Sequence, residues 1–108
     1  MNIFKKFRAY LRFREAVRQA DAAHKKSHQR FYVLPDNRGN LIIMDRRNFR
    51  LMRRKRYISR AASVPELSFK SIYFTPNAKG EGGVPQEDIK TKFASYVSYL
   101  KRIEKGEF

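Results

Sequence analysis

The run from Met44 to Arg60, MDRRNFRLMRRKRYISR, sets eight basic side chains in the fifteen positions from Arg46 onward: Arg46, Arg47, Arg50, Arg53, Arg54, Lys55, Arg56 and Arg60. Seven of the eight are arginine. The chemistry open to such a cluster is electrostatic. A guanidinium is a planar fork of donors that bridges phosphate oxygens or reaches guanine edges, where lysine offers only a point charge. No acid stands between Arg46 and Arg60, as it would on a helix whose charges pair along their own face. Phe49, Leu51, Met52, Tyr57 and Ile58 are threaded through the charges, and a disordered basic tail has no use for such anchors. The expectation is a folded surface that holds a polyanion, nucleic acid first, either DNA or RNA.

A second basic stripe runs Lys5, Arg8, Arg12, at i, i+3 and i+7 of a helix. Phe31, Tyr32 and Tyr57 are candidates to stack on unpaired bases. Aromatics at strand spacing more often face a core, so they enter only as weak contacts. Asp21, His24 and His28 share the i, i+3, i+7 spacing that can hold a divalent metal. The stretch lacks a Glu beside a His, and Lys25 and Lys26 crowd it with like charge, so ordinary surface or helix-end histidines are expected and no metal is assigned.

Catalysis has little to stand on. The chain has no cysteine, no nucleophile elbow and no Walker loop. The glycines of KGEGG are not followed by the Lys-Ser/Thr of a phosphate loop. Asp36 and Asp45 flank one strand without a third carboxylate to complete a nuclease metal site. The chain is read as non-enzymatic and without a cofactor.

The charge is divided unevenly along the chain. The net charge is +15; residues 1–60 carry eighteen Lys/Arg against four acids, and residues 61–108 seven against six. Repulsion within a half-domain of one sign costs stability, and an anionic partner relieves it. That partner is nucleic acid or, as the runner-up, an acidic protein surface in a large assembly such as a virion or ribonucleoprotein. A third reading concerns IFKKFRAYLRF, which has the apolar and basic sides of a membrane-surface helix. The simpler expectation there is that Phe7 and Leu11 close the core. No apolar run reaches the length of a membrane span, and basic residues interrupt any signal-peptide core. The absence of cysteine fits a reducing compartment, so the cytoplasm, or a particle assembled there, is expected.

The elements that must position these residues fit one domain of 108 residues, with nine Phe and six Tyr for its core. Residues 2–28 contain no Gly or Pro and include the Ala-rich REAVRQADAA, which predicts a long helix. Its apolar stripe drifts from Ile3, Phe4, Phe7, Tyr10 and Leu11 to Phe13, Val17, Ala20 and His24, so either the helix bends over the core or its first two turns contact something other than the core. RFYVLP, DNRGN and LIIMD predict a β-hairpin over 31–45. Asp45 is placed to cap a basic helix over about residues 46–55, with Phe49 and Met52 turned to the sheet. VPEL, opened by Ser63 and Pro65, reads as a short helical turn, and LSFKSIYFTP as a third strand. The Gly/Pro-rich stretch 76–85 is a loop. Residues 86–105 predict an amphipathic helix with Ile89, Phe93, Val97, Leu100 and Ile103 inward and Gly106 as its stop. The fold class is α+β: a long N-terminal helix, a three-stranded antiparallel sheet with a basic helix after the hairpin, and a C-terminal amphipathic helix.

The sequence of a basic amphipathic first helix, RFYVLP, a Gly turn, LIIMDRRNFR, RRKRYI and SIYFTP resembles short basic proteins of gut Bacteroidales and their phages or mobile elements. The likeness covers most of the chain. It implies an accessory role in a phage or mobile element and attaches no activity, ligand or site residue.

Overall fold

The computed structural model describes residues 1–36, 38–54 and 71–106. Helix α1 spans Ile3–Ser27, strand β1 Tyr32–Pro35, strand β2 Leu41–Met44, helix α2 Arg46–Arg54, strand β3 Tyr73–Phe74 and helix α3 Ile89–Glu104. The sheet is antiparallel in the order β2-β1-β3. The expected α+β architecture is present. The helical turn placed at VPEL lies outside the described residues.

Alternation along the central strand divides the interior in two. Val33 and its neighbours Phe31, Leu41, Ile43 and Tyr73 face α1 and α3, where they join Ala9, Phe13, Ala16, Ala20 and Tyr96. Tyr32 faces the other way, with Leu34, Ile42, Met44 and Phe74, and meets Phe49 of α2. Both Tyr32 and Val33 are fully buried, which explains why RFYVLP is apolar on two successive positions. The result is three layers: α1 and α3, the sheet, then α2.

Helix α1 is capped by Asn2, whose side chain accepts from the Lys5 N–H at 2.8 Å. It ends at His28, which takes the left-handed conformation (φ 62°) and returns its N–H to the His24 carbonyl. The drift of its apolar stripe has a different cause from bending. Ala9, Phe13, Ala16 and Ala20 form the buried face, and the three alanines let the sheet approach closely beside the Phe13 ring. At about 100° per residue, Ile3, Phe4, Phe7 and Leu11 fall on nearly the opposite side. They do not close the core: they are 77, 73, 59 and 51% exposed. Of the first apolar group only Tyr10 turns toward the domain, where its ring meets Phe93 edge-on at 5.4 Å.

The hairpin turn is organised by Asp36, whose carboxylate accepts the N–H groups of Arg38 and Asn40, each at 2.9 Å. Gly39 supplies the positive φ, +84°. Strand β3 is Tyr73–Phe74 among the described residues, with Ile72 N–H to Val33 O and Thr75 N–H to Phe31 O extending its pairing on either side; the part of the expected strand LSFKSIYFTP over 67–70 lies outside the described residues. The C-terminal helix also starts later than expected. Gln86–Asp88 form a tighter 3₁₀ turn after Pro85, and the α-helix proper begins at Ile89. Gly106, at φ 68°, closes it. The side chain most deeply buried on α3 is Tyr96, which the apolar periodicity did not single out.

Candidate nucleic-acid interface

The capped start of α2 follows directly from LIIMDRRNFR. Asp45 Oδ1 accepts the Asn48 N–H at 2.8 Å and the Asp45 carbonyl accepts from Phe49 at 3.0 Å, so the helix begins on the residue after the strand. Phe49 is 3% exposed and pins the helix to the outer face of the sheet, while Met52 is half-buried beside it. With that face fixed, Arg46, Arg47, Arg50 and Arg54 are all exposed. Among the described residues, no carboxylate or carbonyl pairs with these four. Arg47, Arg50 and Arg54 line a shallow groove of about 450 Å³ along the helix, with Leu51 exposed between them. The side chain of Arg53, and Lys55, Arg56, Tyr57 and Arg60, lie outside the described residues.

At the N-terminal end of α2 the surface deepens into an open cleft of about 670 Å³. Arg46 and Arg47 form one wall, and Arg30 and Lys79 contribute two further cations from other parts of the chain; Asp45 and Glu81 are its acids. Sequence reading missed Arg30 and Lys79 because neither lies in the basic run. Arg30 is held in place: its Nε donates to the Thr75 carbonyl and its Nη2 to the Glu81 carbonyl, both at 2.9 Å, and its guanidinium lies 5.3 Å from the Phe74 ring centre. These bonds also shape the 76–85 loop, in which Asn77 Oδ1 accepts from the N–H groups of Lys79 and Glu81. The loop therefore carries Lys79 on a hydrogen-bonded turn that lines the cleft. The only advance signal was that turn chemistry, PNAKGEGG, directly after a strand predicted to pair beside the hairpin.

The second basic stripe is largely occupied. Lys5 Nζ bonds Glu104 at 3.4 Å, and Arg12 Nη1 donates to the Tyr96 hydroxyl at 3.0 Å and to the Gly39 carbonyl at 3.4 Å. Arg12 reaches inward because α1 passes over the hairpin turn, which the sequence spacing alone did not reveal. Arg8 stays exposed. Lys5, Arg8 and Arg12 are thus not one free binding patch.

The stacking candidates are also placed by the fold. Tyr32 is wholly buried and Phe31 packs half-buried against the inner core, so neither offers a ring to a base. Asp21 accepts from the Tyr73 hydroxyl at 2.5 Å, and His24 Nδ1 donates to the Gln29 carbonyl at 2.7 Å. His28 has left the helix, so the spacing of Asp21, His24 and His28 does not gather them about one point. Among the described residues no group of three or more His, Cys, Asp or Glu could hold a metal ion.

Some charge elsewhere is locally paired. Arg18 forks onto Glu15, and this hydrogen bond, with that of Gln19, holds the Glu15 carboxyl at about 2 against an ordinary 4.5. No helix among the described residues is long and apolar enough to cross a membrane. No protein-family model matches the chain, and comparison with curated proteins and with solved structures finds no match.

Proposed function

We propose that this chain binds nucleic acid without catalysis, using the outer face of α2 and the cleft at its N-terminal end. The observation that carries the reading is the density of exposed arginine, unpartnered among the described residues, on one face of a nine-residue helix. Lys5, Arg12, Arg18 and Arg30 each have a partner within the chain, whereas Arg46, Arg47, Arg50 and Arg54 share one exposed face without one among the described residues. Four unneutralised guanidinium groups on a nine-residue helix repel one another, and phosphates relieve that repulsion while releasing counterions. The role fits an accessory protein of a phage or mobile element, as the resemblance implies.

Binding to duplex DNA or RNA is the test. If α2 and the basic residues that follow it engage about five to seven phosphates of B-form DNA, log K against log[salt] has a slope of about −4.5 to −6. An affinity that does not change between low and moderate salt removes a phosphate-dominated mode. A second reading is an acidic protein in a large assembly such as a virion. Leu51, 40% exposed among the arginines, favours it, since an apolar contact at that point suits a protein surface better than a phosphate backbone. That reading predicts a complex that outlasts high salt and weakens on Leu51→Ala.

A further inference from the structure

Six of the seven large hydrophobic residues that the described chain leaves exposed lie between Met1 and Leu11. Ile3, Phe4, Phe7 and Leu11 form one face of α1, directed away from the side that Ala9, Phe13, Ala16 and Ala20 bury. The helix start is not a loose tail. The Met1 amino group and Lys5 both reach Glu104 of α3, and Tyr10 is seated on Phe93. The domain therefore holds an apolar strip three turns long in a fixed orientation with solvent over it. A soluble surface rarely keeps that much contiguous apolar area without a use.

Charge decides what covers the strip. Residues 1–14 contain no acid. On a helical projection Lys6 and Arg8 border the apolar sector on its two sides, and Arg14 follows at its C-terminal end. The carboxylate next in sequence, Glu15, is occupied by Arg18, and Glu104 by Lys5 and the Met1 amino group. A second copy of this chain would bring Lys6, Arg8 and Arg14 against their own kind with no anion between them. A protein groove closes around a helix, but the far half of α1 is already committed to the sheet and α3, so only one sector is open. A flat surface with anionic headgroups and an apolar interior takes one sector, and the flanking cations lie at the level of its phosphates.

We propose that the first three turns of α1 are an interfacial anchor for an anionic lipid bilayer, with Ile3, Phe4, Phe7 and Leu11 entering the acyl boundary and Lys6, Arg8 and Arg14 meeting lipid phosphates. The anchor is separate from α2 and stands or falls independently of nucleic-acid binding. The chain has no tryptophan, so Phe7→Trp places a single reporter on the strip at an already exposed position. The full-length variant is mixed with vesicles of phosphatidylcholine alone, or of phosphatidylcholine with phosphatidylglycerol. Expected is flotation with the anionic vesicles, a blue-shifted indole emission and quenching by brominated acyl chains. Arg50→Ala with Arg54→Ala, which thins the charge of α2, keeps that shift. Phe4→Ala with Phe7→Ala, in the otherwise native chain and with an unchanged melting curve, lowers partitioning at least about tenfold. Three results overturn the proposal: no flotation; flotation with the indole still in water, which means adsorption through α2; or a blue shift without lipid that grows with protein concentration, which means a second copy covers the strip.

Discussion

The hydroxyl of Tyr96 donates to the carbonyl of Gly39 at 2.5 Å, and Arg12 Nη1 reaches both groups from α1. One buried tyrosine on the last helix thereby fixes the turn of the hairpin, and a residue spaced like a phosphate contact on the first helix completes the bond. Tyr99 adds a second hold, donating to the Asp36 carbonyl at 2.8 Å. Tyr96→Phe removes the donor and leaves Arg12 and the carbonyl short of a partner, at a cost of about 1–3 kcal/mol. Arg12→Ala is expected to lower denaturant stability in the same range while leaving the salt slope of nucleic-acid binding unchanged. A shallower slope in Arg12→Ala, with stability intact, would return Arg12 to the binding surface.

Gly39 itself tolerates no side chain. Its φ of +84° lies in the left-handed region, and a Cβ would stand 2.6 Å from Leu100 Cδ2. Gly39→Ala is expected to destabilise by at least about 1–2 kcal/mol from the backbone alone, with the clash in addition. Combining it with Leu100→Ala separates the two contributions: the double variant relieves the clash and keeps the backbone strain, so its loss is smaller than the sum of the two single losses in a double-mutant cycle.

Tyr73 gives the fold an alkaline limit. Burial, and then the hydrogen bond to Asp21, push its pKa well above the ordinary value of 10. The folded state holds this proton more tightly than the unfolded chain does. The stability linked to it is therefore complete below pH 10 and is lost as pH rises from there toward the folded-state value. Melting temperature followed into the alkaline range should fall in the wild type, and Tyr73→Phe should fall less steeply over the same interval. Equal slopes would show that other groups set the limit.

Which parts of this were legible beforehand follows from the range of the interactions involved. Asp45 as a cap, Gly39 in the turn and Phe49 as an inward anchor depend on neighbours within a few residues, and local pattern was enough. The α1 faces were misread because Phe4, Phe7 and Leu11 are as apolar as any core stripe, while the real core face is written in alanines that carry little hydrophobic signal. Arg12, Arg30 and Lys79 were beyond reach for a different reason. Their partners, Tyr96, Thr75 and the start of α2, are tens of residues away, and only the packing of α1 over the hairpin and of the 76–85 loop beside α2 brings them together.

The two faces of α2 should separate in experiment. Phe49 is enclosed by Tyr32 and Met44, so Phe49→Ala opens a cavity in the small outer core and is expected to cost roughly 3–5 kcal/mol, a large share of a small domain's stability. Arg50→Ala with Arg54→Ala touches no buried contact and should stay within about 0.5 kcal/mol for each change. The same pair should weaken nucleic-acid binding and make the salt slope shallower by up to about two phosphates' worth. Thermal melts and titrations on both variants check this. A stable Phe49→Ala that loses binding, beside an arginine pair that unfolds, would reverse the assignment of faces.

The cleft makes a claim about a residue far from the basic run. Lys79 lines it together with Arg46 and Arg47, carried by a turn that Asn77 and Arg30 hold in shape. Its side chain is exposed, so its removal should not disturb folding. If a phosphate enters the cleft, Lys79 contributes to neutralising it as Arg47 does. Lys79→Ala and Arg47→Ala should then each make the slope of log K against log[salt] shallower by up to about 0.9. Because both act on one phosphate, the double variant should lose less than the sum of the two. Lys90→Ala is the control, an exposed cation on α3 outside the cleft. It should leave the slope near the wild-type value. A Lys79→Ala slope equal to that of the control would confine the interface to the face of α2 and leave the cleft outside it.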